Sequence, residues 1–136
     1  MLRRALMVLT ALVSSTPAAF AQSGVTGTWS CMVVSYTQLG RTDRTITMTL
    51  QPNQMYQANG TQYRTAIGIN ETFFSQGEWA LSQDQNGPYL RMLGQARFSY
   101  DNRIEQFIFV SHIQNDLLIA DQWSDQNGST QVQCGR

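Results

Sequence analysis

The chain has 136 residues, only 13% of them charged, and its nine arginines and nine acids cancel, with no lysine present. A length of this order argues for one domain. A surface without a basic excess lacks the electrostatic footprint that nucleic acid or an anionic membrane demands, so no nucleic-acid partner is expected.

Met1 to Ala21 reads as a targeting segment. Arg3-Arg4 gives a basic start, Leu6 to Val13 is an apolar run too short to cross a bilayer, and Ala19-Phe20-Ala21 is a small-x-small cleavage site. A secretory signal peptide over residues 1–21 is expected, leaving 22–136 as a single domain with no membrane span. A resident anchor is the other reading. The style is bacterial, which points to the periplasm, with full secretion as the alternative. Setting Arg3 and Arg4 aside leaves seven arginines against nine acids, a faintly acidic domain. In an oxidising compartment two cysteines allow one pairing, Cys31–Cys134, the alternative being two thiols. With one histidine and no Cys-x-x-Cys, zinc spacing is missing, and no metal or other cofactor is expected.

The mature chain reads as β-structure throughout. Gly27-Thr28-Trp29-Ser30-Cys31 opens a strand that runs to Thr37, with apolar groups on both faces, so cover on both sides is possible. Gln38 to Asp43 reads as a turn. Ile46, Met48 and Leu50 alternate with Thr45, Thr47 and Thr49, giving one apolar and one wet face. Pro52 ends that strand. Met55 to Ala58 is a short strand, Asn59-Gly60 a hairpin signal, and Gln62 to Ile67 returns. Gly68 to Gln76 reads as a loop or a single helical turn, its Phe73-Phe74 pair either a lid or a core plug. Glu78 to Gln83 carries Trp79 and Leu81 on one face. Tyr89 to Leu93, Gln95 to Tyr100, Arg103 to Ile113, Leu117 to Trp123 and Thr130 to Cys134 follow. The tetrapeptide Asp-Gln-Asn-Gly, at Asp84 and again at Asp125, supplies two turns, by duplication or by independent use of good turn chemistry. The fold class is therefore all-β: an antiparallel up-and-down meander of about eight strands closed into a small barrel. Closure removes exposed edges, and Cys31–Cys134 would join the first strand to the last.

Gly27-x-Trp29 at the start of the first strand of a small exported β protein resembles the calycin group, the lipocalins and their relatives. The resemblance implies a Trp29 that plugs the closed base of the barrel and a late arginine packed over it, with Arg136 and Arg103 as the candidates. The strand plan is also similar to small periplasmic barrels such as avidin-like proteins and metalloprotease inhibitors. The mature chain is shorter than a typical lipocalin and lacks that family's signature between middle strands, so no set of ligand residues carries over.

No nucleophile elbow and no phosphate-cradling loop is present. His112, the sole imidazole, sits in phase with Ile108 and Val110 and reads as a strand residue rather than a base. No catalytic residue is assigned, and the reading leans away from an enzyme. Glu71 and Glu78 could form a carboxylate pair. Met32, Met48, Met55 and Met92, one per strand, read as core filling rather than copper ligands. Glu105 alternates with Phe107 and Phe109, and Asp121 with Ile119 and Trp123. Either these faces point inward, carrying two acids that need partners such as Arg64, Arg91 or Arg97, or Ile104, Ile108 and Val110 form the inner face. In the second case the phenylalanines make an outer patch.

Two functions follow. The first is a barrel that binds a small apolar or amphipathic ligand, lined by Tyr36, Tyr56, Tyr63, Trp79, Glu105, Phe107 and Trp123, which requires an internal cavity of about 300 Å³ or more. The second is a protein-binding module, an inhibitor or envelope assembly component, acting through an exposed aromatic patch, with a homodimer as one form of it.

Overall fold

A computed structural model of the chain describes residues 24–115 and 118–136, apart from the side chains of Asn115, Leu118 and Trp123. The leader expected at 1–21 lies outside the described residues. Eight strands follow one another: β1 (Gly27–Thr37), β2 (Gly40–Leu50), β3 (Met55–Arg64), β4 (Ile69–Asp84), β5 (Gly87–Phe98), β6 (Ile104–Asn115), β7 (Leu118–Asp125) and β8 (Gly128–Gly135). Each pairs antiparallel with the next, and β8 pairs with β1, so the sheet is a closed barrel in meander order. Cys31 lies directly opposite Cys134 in the β1–β8 ladder, and the two form a disulfide with Cα atoms 4.0 Å apart.

Strand alternation decides what enters the barrel, because residues opposite one another on antiparallel strands share a face. Following the register gives interior rows that climb around the wall. One is Cys134–Cys31–Ile46–Gly60–Phe73–Phe98, the next Trp29–Met48–Ala58–Ser75–Ala96–Glu105. Trp29, Trp79, Tyr56, Met48, Leu50, Leu90, Met92 and Ile119 are fully buried along the axis. The outer wall carries threonines and glutamines instead. In register, Gln57, Gln76, Gln95 and Gln106 form one exposed row across β3 to β6. An apolar inside and a polar outside are the inverse of a membrane barrel. β1 is covered on one side only, since Met32 points into solvent.

The repeated Asp-Gln-Asn-Gly makes the same tight turn twice. Asp84 accepts from the Asn86 N–H at 2.8 Å and Asp125 from the Asn127 N–H at 2.7 Å. Gly87 then takes the positive φ, 113°, that an L side chain would resist.

Four stretches differ from the sequence reading. The turn expected over Gln38 to Asp43 is confined to residues 38–39, because β2 pairs with β1 from Gly40 onward, and the strands expected at Tyr89 to Leu93 and Gln95 to Tyr100 are one, β5. Asn59-Gly60 is not a turn: β3 runs straight through it, and the chain reverses at 65–68 instead. Gly60 is there for close approach, since a Cβ would lie 1.9 Å from the Thr45 carbonyl oxygen. Residues 69–76 are neither loop nor helical turn but the first half of the 16-residue strand β4. Phe73 and Phe74 therefore split across the wall, Phe73 into the core and Phe74 half exposed outside.

Candidate functional site

At the closed base, the Trp29 indole N–H donates to the Val25 carbonyl at 2.8 Å, and the Arg136 guanidinium covers the ring 4.2 Å from its centroid. Of the two arginines considered for this contact, Arg136 makes it. Arg103 sits at the opposite end and stacks over Phe98 instead.

That opposite end is the charged one. The inward phase turns polar toward the rim, near the start of β2, the end of β3 and the start of β4, where Arg44, Gln62 and Glu71 lie side by side in register. Arg44 Nε donates to Gln62 Oε1 at 2.5 Å, and Gln62 Nε2 donates to Glu71 Oε1 at 2.9 Å. Arg103 then binds both Glu71 oxygens, at 2.5 and 2.9 Å. It also holds Asp101 at 2.8 Å and Glu105 at 2.9 Å. Arg64 stands 3.5 Å from Glu71. The Glu71 side chain has no exposure to solvent. The bidentate Arg103 fork overrides the cost of that burial and holds its carboxyl below the ordinary glutamate range. The same contacts raise Arg103, whereas burial lowers Arg44, which has no carboxylate of its own in hydrogen-bond reach among the described residues.

Beneath this plug lie Phe73, Phe98, Phe107 and Tyr56, ring against ring at centroid distances of 5.7 to 6.1 Å. The residues proposed to line a ligand site distribute as follows. Tyr56, Trp79 and Phe107 are buried inside, where the Tyr56 hydroxyl bonds Ser75 at 2.9 Å and the Trp79 N–H bonds the Gln51 carbonyl at 2.8 Å. Glu105 is at the charged mouth. Tyr36 and Tyr63 stand on the outer face, and the Trp123 side chain lies outside the described residues. The Phe107–Phe109 face of β6 is the inner one, leaving Ile104, Ile108 and Val110 outside. Glu105 takes Arg103 as its partner; Arg91 and Arg97 face solvent. Glu71 and Glu78, seven residues apart on one strand, point to opposite faces and are no pair.

Sequence reasoning missed the Arg44–Gln62–Glu71 row. The signal was available: Arg44 continues the Ile46–Met48–Leu50 phase, and Glu71 precedes Phe73 in phase.

On the outside, β3 to β6 bound a hollow of about 1230 Å³, whose rim includes Met55, Phe74, Arg97 and Ile104. Leu93 lies directly opposite Ile108, and Val110 follows on the same strand, all exposed.

A second ionic cluster clasps the outer edge of the β6–β7 seam. Among the described residues that ladder has two register pairs, Ile113 with Ile119 and Asn115 with Leu118. Beyond them side chains substitute for backbone bonds. The Asp121 carboxylate accepts from the His112 N–H at 3.2 Å, and Gln114 Nε2 donates to the Ala120 carbonyl at 3.2 Å. The His112 ring bridges Asp121, 2.7 Å from Nδ1, and Asp84, 2.9 Å from Nε2, with Tyr89 edge-on beside it. Asp84 first and Asp121 second raise the His112 pKa. A raised folded-state pKa gives stability that is complete below the unfolded value, about 6.5, and fades as pH rises through the folded one. The wild type should thus lose thermal stability as pH rises above about 6.5, and His112→Gln should flatten that slope. Thermal melts across this range test it; parallel profiles would exclude the clasp.

The chain matches no family model, no curated protein and no solved structure.

Proposed function

We propose that this chain is an exported, lipocalin-like barrel that works as a protein-binding module through the outer wall of β3 to β6. The observation that carries this reading is the contrast between the two sides of the wall. The interior rows are occupied by tryptophan, tyrosine, methionine and leucine side chains. The large hollow lies outside, beside exposed aliphatic residues and Phe74. Phe74 and Ile104 flank one side of the exposed glutamine row, and Met55, Leu93 and Ile108 the other; apolar anchors grouped about a polar stripe suit association, and a rigid sheet presents them without ordering cost. The patch is more aliphatic than aromatic. The buried disulfide supports an oxidising compartment, in keeping with a periplasmic location. Arg136 over Trp29 supports the lipocalin likeness.

The alternative, a small apolar or amphipathic ligand held within, would require the Phe73–Phe98–Phe107 cluster to part.

Photo-crosslinking amino acids placed at Leu93 and Ile104, with the exposed Gln131 of β8 on the far wall as control, test the reading in the native envelope. Protein adducts are expected from the first two positions and not from Gln131, with loss on Phe74→Glu. An adduct of twice the monomer mass identifies a second copy as the partner. Equal yield at all three positions overturns the proposal. So does native mass spectrometry that finds a stoichiometric small molecule on a protein whose wall crosslinks nothing.

A further inference from the structure

We propose that the charged mouth of the barrel is a binding site for a small oxyanion, a carboxylate or phosphate group, held between Arg44 and Arg64. This site is separate from the outer wall and rests on a surplus of donors. The interior row nearest the rim runs Thr130, Ser35, Thr42 and Arg64 in register, three hydroxyls and a guanidinium. The row below it brings Arg44 and Gln62 beside Glu71. Arg44 and Arg64 sit diagonally on neighbouring strands, a spacing that long side chains span.

The buried acceptors at this end, the Glu71 carboxylate and the Gln62 amide oxygen, are already engaged. Arg103 takes both oxygens of Glu71 and one each of Asp101 and Glu105, and the Gln62 amide has its oxygen on Arg44 and its nitrogen on Glu71. Arg64 is left with a 3.5 Å approach to Glu71, and its Nε is buried without a hydrogen-bond partner among the described residues. Arg44 keeps a single side-chain hydrogen-bond partner among them, the neutral Gln62. Two guanidiniums short of acceptors, flanked by hydroxyls that can donate, suit a ligand that only accepts. A cation would meet like charge at Arg44 and Arg64, whereas an oxyanion meets donors on both. Glu71 and Arg103 fix Gln62 and so orient Arg44, while Arg64, a third exposed, can turn its fork to the ligand.

The oxyanion can be free or the head of an amphiphile, and the aromatic rings under the plug distinguish the two. The test uses the exported protein, labelled with ¹⁵N, titrated separately with acetate, inorganic phosphate and laurate. Saturable shifts are expected at the Nε–H signals of Arg44 and Arg64, with none at the outward-facing Arg91 and Arg97. Arg64→Gln should weaken binding about tenfold or more, the loss of one charge-assisted bond. Arg44→Gln should do the same; Arg64→Gln, the more exposed change, keeps the test open should Arg44→Gln fail to fold. Laurate that also moves the Phe73, Phe98 and Phe107 ring signals identifies an amphiphile. Acetate or phosphate binding as tightly as laurate, with those rings unmoved, identifies a free anion. Shifts that never saturate, or that appear equally at Arg91 and Arg97, overturn the site, as does Arg64→Gln binding like wild type.

Discussion

Replacing Cys31 and Cys134 together by alanine will lower the stability of the barrel by about 4 kcal/mol. The bond spans 103 residues, almost the whole domain. In the chain-entropy account a cross-link over about 100 residues removes up to about 4.7 kcal/mol of freedom from the unfolded ensemble. A domain of this size has only about 5–15 kcal/mol in all, so the melting temperature should fall by roughly 15 °C or more. The fold itself should survive. β1 and β8 remain paired from Ser30–Gly135 to Thr37–Gly128, and the core beneath is unchanged. Urea unfolding at neutral pH should therefore show a native-like far-UV spectrum, a lower midpoint and a steeper slope, because the uncross-linked chain exposes more surface. A loss under about 1 kcal/mol would mean that the ladder and core close the barrel without help from the bond.

This closure was legible in the sequence, and the reasons are local. The expectation of export makes the cysteines a pair, Trp29 and Cys31 share a face, and strict alternation in Ile46–Met48–Leu50 states which side is dry. The Asp-Gln-Asn-Gly turns were legible because their chemistry lies within four residues. What misled was a local signal overruled by packing. Asn59-Gly60 suits a hairpin, yet Gly60 is needed where the backbone of β2 comes too close for any side chain. Ending β3 there broke the phase that carries Tyr56 and Ala58 on to Gln62 and Arg64. Reading 68–76 as irregular likewise hid that Glu71 shares a face with Phe73. The charged mouth was invisible for this reason. Its members are far apart in sequence, and each looks like a surface residue until the register places them together. The inner face of β6 could not be decided from its own pattern, because isoleucines and valine on one face balance phenylalanines on the other. The closed barrel decides it: the larger rings complete the interior rows, and the aliphatic face is left outside.

Glu71→Leu should be the other costly change, at about 3–5 kcal/mol. The carboxylate is wholly buried and is the hub for Gln62, Arg64 and Arg103. Removing it strands Arg103 over Phe98 with only its half-exposed partners, Asp101 and Glu105, which contribute little in water. It also unties Gln62 and, through it, Arg44. Much of the loss is thus the penalty of leaving a largely buried cation with solvent-screened partners alone, rather than the worth of the pair. Removing Arg103 as well should return part of it, so Glu71→Leu/Arg103→Leu will cost less than the two single changes added, by about 1–3 kcal/mol. Acid provides an independent check. With a folded pKa depressed by Arg103, the contribution of Glu71 is complete above the unfolded value, about 4.3, and is lost as pH falls through the folded one. Wild-type stability should drop on that limb, and Glu71→Leu should be flatter there. Additive single changes with an unaltered acid limb would show that the plug is dispensable, and that packing of the phenylalanines alone keeps the mouth shut.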